Sequence, residues 1–230
     1  MARIWRRRAG LLVVLFASLT QGVAAQRVPP ATPRPAGDSD YVRLEQDVVT
    51  ALNRARTDPV GFSKDLEGLL PAYHDNVLEF PGSFASIRTL EGDSALREAI
   101  RVMRAAKPVP AIRVDPALSR AAQDLVRDQG VSGLFGHDAS DASAPEDRLE
   151  RYGLLTGTLA EDLSYAPVGL SGLQRIEGLL IDDGIADRGH RKNLLNPDLH
   201  VAGVACGPHP RSGSLCVIEL AYKFSRWGMP

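Results

Sequence analysis

Apolar positions recur at helical spacing in several blocks along this chain. Tyr41, Leu44, Val48, Leu52 and Ala55 repeat every three to four residues and predict a helix from about residue 40, which Asp58-Pro59 ends. Asp38, Ser39 or Asp40 is available to cap it. Residues 61–70 form a second short helical candidate, and 71–92 read as irregular, with a turn at Pro81-Gly82. Leu96, Ile100 and Met103 predict a helix over 94–106, stopped by Lys107-Pro108, and Ile112 with Val114 a very short extended piece. Asp115-Pro116 is a strong helix start, an acid cap followed by proline at the first helical position. Leu118, Ala121, Ala122, Leu125 and Val126 supply its buried stripe, and Gly130 is its expected C-cap.

Further on, Arg148-Leu149 open a helical turn that ends at Gly153, and residues 159–165 (LAEDLSY) suit a strand. Ser171 and Gln174 have capping-box spacing ahead of a helix that turns Ile176, Leu179 and Leu180 inward and closes at Gly184. Asp182 and Asp183 then fall in the last turn, where two acids oppose the helix dipole and call for a cation or basic partner. The C-terminal part alternates. Residues 201–205 are a short apolar run, and over 215–224 Cys216, Ile218, Leu220, Tyr222 and Phe224 share one face while Glu219 and Lys223 take the other. Two such runs joined by a Gly/Pro/Ser turn predict an antiparallel hairpin. Helices around short strands place the chain in the α+β class.

Composition adds an address. Residues 1–25 combine a basic start (Arg3, Arg6, Arg7, Arg8), an apolar run over 11–17 and the small-residue site Val23-Ala24-Ala25, the pattern of a cleaved signal peptide. Residues 26–40, rich in proline and alanine, read as a linker, 41–224 as the folded domain and 225–230 as a tail. The formal charge of -1 rests on those four arginines; without them 23 basic side chains face 28 acidic ones. A net acidic chain lacks the basic face that nucleic acid requires, and no later stretch has transmembrane length. The mature chain is therefore expected in the periplasm or outside the cell, after cleavage near Ala25. In such an oxidising compartment Cys206 and Cys216, on either side of a turn-rich segment, are a candidate disulfide, the alternative being two buried thiols.

Candidate chemistry gathers around LLIDDGIADRGHRKNLLN at 179–196, with His137 and Glu161 upstream. Glu161 lies among apolar neighbours, and a buried carboxylate needs a partner. Asn53 and Arg56, at a helix end, either complement its dipole or tie the helix to a neighbouring loop. The acidic loop 138–147 lacks the spacing of a calcium-binding EF-hand.

The pieces LNRARTDP (52–59), VDPALSRAAQDLV (114–126), GH (136–137), AEDLSY (160–165), 179–207 and CVIELAYKF (216–224) together resemble the CAP superfamily, in its bacterial secreted branch. This superfamily of cysteine-rich secretory, antigen 5 and pathogenesis-related 1 proteins is also known by its SCP domain. The resemblance covers about residues 41–224 and implies an α-β-α sandwich with a central antiparallel sheet flanked by helices and a large cleft. It further implies that two histidines and two acids line the cleft and hold a divalent cation, often zinc. Carried over by position these are His137, His190 and Glu161, with Asp182 or Asp183 as second acid and Glu177 behind them; the metal set so drawn is His137, His190, Glu161 and Asp183. Asp162 stands where the family usually has asparagine. No HExxH spacing marks a zinc hydrolase, and no GxSxG a serine nucleophile. Two readings remain: a secreted module whose cleft takes a lipid, glycan or peptide, and a hydrolase of peptide or cell-wall bonds with His190 or Glu161 as general base.

Overall fold

A computed structural model of the chain describes residues 37–83 and 85–227. The expected signal peptide and most of the linker lie outside the described residues. Helix α1 (Asp38–Thr57) starts two residues before the expected point and buries Val48, Leu52 and Ala55. Asp58 ends it and caps α2 (Pro59–Gly68) by accepting from the Gly61 amide at 2.8 Å. Asn53 and Arg56 tie α1 to distant loops, which is the second of the two roles open to them. Asn53 pairs with the backbone of Ile112, and buried Arg56 donates to the carbonyls of Pro110, Leu194, Asn196 and Leu199.

The segment that reads as irregular is a small antiparallel sheet, β1 (Tyr73–His74), β2 (Val77–Glu79) and β3 (Ser86–Arg88). Strands of two and three residues are too short to show a period of two. After α3 (Ser94–Ala105) and β4 (Arg113–Val114), α4 (Pro116–Ser132) begins on the Asp115 cap as expected. It runs past Gly130 to the left-handed Gly133 (φ 67°), because Gly130 serves packing: a Cβ there would stand 3.1 Å from the Pro208 carbonyl oxygen. Next come α5 (Pro145–Glu150), β5 (Gly153–Ala166), α6 (Gly172–Ile181), α7 (Gly189–Leu194), β6 (Val201–His209) and β7 (Gly213–Arg226). The Ser171/Gln174 capping box opens α6 as predicted.

The main sheet has the order β4-β6-β7-β5, antiparallel except for the two-residue parallel pairing of β4 with β6. One face packs with α1, α2, α3 and α6 in the largest core, which includes Val204, Cys206, Cys216, Ile218 and Leu220. The other face is covered by α4, whose Leu118 and Leu125 belong to two smaller clusters with Val201, Val217 and Ala221. This is an α+β sandwich with helices on both sides of the sheet. Cys206 and Cys216 are directly opposite in the β6–β7 register and form the disulfide.

Covering both faces alters the reading of β7. The side expected to be polar carries Val217, Glu219 and Ala221 at zero exposure, while Tyr222 is exposed. Among the described residues no helix is long and apolar enough to cross a membrane.

Candidate functional site

Strand β5 is an edge of the main sheet, so loops from both helical layers meet along it. From one side comes His137, in the loop that follows α4. Its Nδ1 lies 2.7 Å from Glu161 Oε1. A carboxylate only accepts, so Nδ1 carries the ring proton, and Nε2 has no partner among the described residues. The other Glu161 oxygen accepts from Arg148 of α5, which has zero exposure and also donates to the carbonyls of His137 and Ser143 at 2.9 and 2.8 Å. One guanidinium thus fixes both the carboxylate and the loop that carries the imidazole. Burial raises the Glu161 pKa, but His137 and Arg148 outweigh it and the net shift is downward, so Glu161 is ionised.

Glu219 on β7 faces Glu161 across the strand pair. Its Oε1 is 3.9 Å from Arg148, and neither of its oxygens has a hydrogen-bond donor among the described residues. Burial, then the neighbouring Glu161 charge, push its pKa well above the ordinary range. Burial beside Glu161 thus favours the neutral form of Glu219.

From the other side comes His190, at the start of α7. Its Nδ1 is 2.6 Å from Asp182 Oδ1, and Asp182 Oδ2 accepts from the His190 amide at 2.9 Å. This reach depends on backbone shape. Helix α6 ends at Ile181, earlier than Gly184, and Asp182 takes a left-handed conformation (φ 56°) that turns its side chain toward α7. Burial works against the imidazolium of His190, yet the Asp182 hydrogen bond and the Asp162 charge raise its pKa overall. Asp162 is buried beside this pair. Asn193 donates to its Oδ1 at 2.9 Å, and its Oδ2 has no partner among the described residues. Burial is the main cause that pushes Asp162 up to about 7, against the favourable charge of His190.

Of the two neighbouring acids, Asp182 is the one bonded to His190. Asp183 turns away and accepts from the backbone amides of Leu90 and Glu91 at 2.6 and 2.9 Å. Glu177 faces α1 and α2, where Arg54 and Asp65 act on it. Of the metal set drawn from the sequence, then, Glu161 and Asp183 have both oxygens committed elsewhere. Among the described residues no three His, Cys, Asp or Glu side chains form a cluster fit to hold a metal ion. What the chain offers is two imidazoles, each oriented through Nδ1 by a carboxylate, the arrangement that prepares Nε2 as a ligand. Two imidazoles are too few for a closed structural zinc site, which takes four protein ligands.

Both histidines and Asp182 line one pocket, with an empty volume of about 710 Å³ that includes space open to solvent. Its walls are mainly apolar: Phe80 just after β2, Ile87 from β3, Leu163 from β5, Leu170, Leu179 and Ile185 around α6. Arg175 and Gly178 of α6 also line it. Ser164 is present, but its hydroxyl lies 3.4 Å from Arg175 and bonds neither imidazole.

Helices on both faces of an antiparallel sheet, with two carboxylate-held histidines over its edge, define a CAP-type architecture. The sequence pattern of the Cysteine-rich secretory protein family, CAP, matches residues 97–220, and the chain belongs to that family. It is 26% identical over 120 residues to the uncharacterized protein YkwD of Bacillus subtilis, a match that takes in 52% of this chain and 42% of that protein. The chain therefore spans about two fifths of that relative's length. An extracellular SCP-domain protein from Bacillus anthracis has a similar structure (TM-score 0.41, 22% identity, 54% of this chain and 37% of that one). So does an outer surface protein from Borrelia burgdorferi (TM-score 0.41, 16% identity, 51% and 80%).

Proposed function

We propose that this is an exported CAP protein whose cleft binds a ligand with an apolar body beside the paired histidines. The observation that carries this reading is the joining, in one mainly apolar pocket, of His137 and His190, each held by a buried carboxylate. Apolar walls with a few fixed polar groups are how small-molecule sites combine affinity with orientation. Export is supported by the N-terminal pattern of residues 1–25 and by a disulfide, which persists in oxidising compartments. The free Nε2 atoms of His137 and His190 would hold a divalent cation, which would supply a positive charge against a polar group of the ligand. A hydrolase is the second reading, favoured only by the His190–Asp182 pair, which has general-base form.

A neutral apolar probe, N-phenyl-1-naphthylamine, tests the reading. It should bind the purified protein at a single saturable site. Gly178 of α6 lines the pocket with nothing within 4 Å of an added Cβ, so Gly178→Leu puts an apolar side chain on that wall and should abolish the signal. Absent or non-saturable binding would refute the reading. In the same preparation, zinc titration should show one site lost in His137→Ala/His190→Ala; equal uptake by both proteins would remove the cation.

A further inference from the structure

We propose that Arg175 is an anion-binding residue on the inner wall of this cleft, and that the ligand is a small amphiphile with one negatively charged head and an apolar chain. The inference rests on the ligand-binding reading above and names the chemistry of what is bound.

Arg175 is 3% exposed and lies on the pocket wall. Its contacts are all neutral. Nη1 donates to the Ser164 carbonyl at 2.9 Å and lies 3.4 Å from the Ser164 hydroxyl, while Nη2 donates to the Ser214 hydroxyl. The Ser214 hydroxyl in turn donates to the Ala166 carbonyl, so it meets Arg175 purely as an acceptor. Arg175 Nε is buried and has no hydrogen-bond partner among the described residues. A guanidinium has five N–H donors, and an unpaired buried cation is costly.

The other buried arginines resolve that cost internally. Arg148, whose Nε likewise lacks a partner among the described residues, pairs with Glu161, Arg191 pairs with Glu98, and Arg56 is ringed by four backbone carbonyls. Arg175 has no carboxylate partner among the described residues, and burial pulls its pKa down to about 10, still charged at neutral pH. Tying β5 to β7 through neutral oxygens does not call for a permanent charge, nor for one placed on a cavity wall. A bound carboxylate or phosphate would complete it, since both match the guanidinium fork. Leu163, Leu170 and Leu179 then take the chain. Gly178 has a second meaning here. Glycine inside a helix is unfavourable, and in α6 it keeps open the space that the chain would enter.

The experiment compares octanoate, octyl phosphate and octanol by calorimetry with the purified protein in EDTA, which removes any cation at the histidines. Octanoate or octyl phosphate should bind at least tenfold tighter than octanol. Whichever anion binds tighter identifies the head group. Arg175→Met should erase the preference, and Arg175→Lys should restore part of it. Equal binding of octanoate, octyl phosphate and octanol overturns the role of Arg175 but keeps the apolar cleft; no binding by any of them overturns both. A preference that survives Arg175→Met, or a hydrophobic peptide with a free C-terminus that outcompetes both anions, also overturns the assignment. Should Arg175→Met fail to fold, Gly178→Leu decides: anion binding retained in that variant refutes the site.

Discussion

At Glu219 a strand that alternates cleanly in sequence carries a carboxyl into the protein, opposite Glu161 on the neighbouring strand. Alternation placed it on the polar side of β7, which holds only where one face of a sheet meets water; α4 covers that side. His137, Glu161 and His190 were legible because their order and spacing follow a family pattern. Their support was not, since Arg148 reads in sequence only as the opening of a helical turn. Choosing between Asp182 and Asp183 needed a backbone angle that no residue type announces. A neighbouring acid allows a test away from the site. Burial, with Asp65 adding to it, pushes Glu177 from 4.5 up to about 7, and Arg54, whose charge opposes the shift, is already paired with Asp65 at 2.6 Å. Between those two values the native state holds more protons than the unfolded chain, so this group lowers stability as pH rises, by up to about 3 kcal/mol. Glu177→Gln should therefore match the parent at pH 4 and gain on it up to pH 8 in urea denaturation. Parallel pH profiles for the two proteins would contradict this account.

Among the elements, long ones were readable and short ones were not. Helices α1, α3, α4 and α6 follow their apolar stripes, and the capping residues Asp115 and Ser171 sit where the sequence places them. The small sheet β1–β3 escaped detection, though it supplies Phe80 and Ile87 near and on its strands to the pocket. Glycine was the least transparent residue, because its reason lies in the facing element. Gly203 on β6 meets α4 so closely that a Cβ would stand 2.1 Å from the Leu118 carbonyl carbon and 2.3 Å from the Ser119 nitrogen. Both are backbone atoms, so the helix itself would have to move. Gly203→Ala should cost about 3 kcal/mol, as overpacking does at its upper end. Gly178→Ala, by contrast, enters open space and should add about 0.5–1 kcal/mol. Chemical denaturation of both variants checks the contrast; equal midpoints would undo it.

For the molecule as a whole, the Cys206–Cys216 bond closes the hairpin at the centre of the sheet, with both residues in the larger core. Closing a loop of this size is worth about 2–3 kcal/mol through the unfolded chain. Cys206→Ala/Cys216→Ala should lower Tm by several degrees at unchanged fold, and an unchanged Tm would rule out a stabilising role. The pair is 4% and 0% exposed, so reductant should act on the parent at the rate at which the hairpin opens. The overall layering was foreseeable from helices flanking a β-hairpin, whereas the meeting of the His137 and His190 loops over the edge strand was expected only through the family resemblance, because it joins residues far apart in the chain.

The neighbouring acids Asp182 and Asp183 have a consequence at this scale. One orients an imidazole; the other grips the amides of Leu90 and Glu91 at the exit of the small sheet. Arg188 tightens the same junction through Glu91 and Glu98. The apolar wall and the histidine loop are thereby mechanically geared together through two successive residues. Damage at Asp183 would loosen a wall of the cleft with both imidazole pairs intact, and so would imitate a lost binding group in any screen that scores occupancy alone.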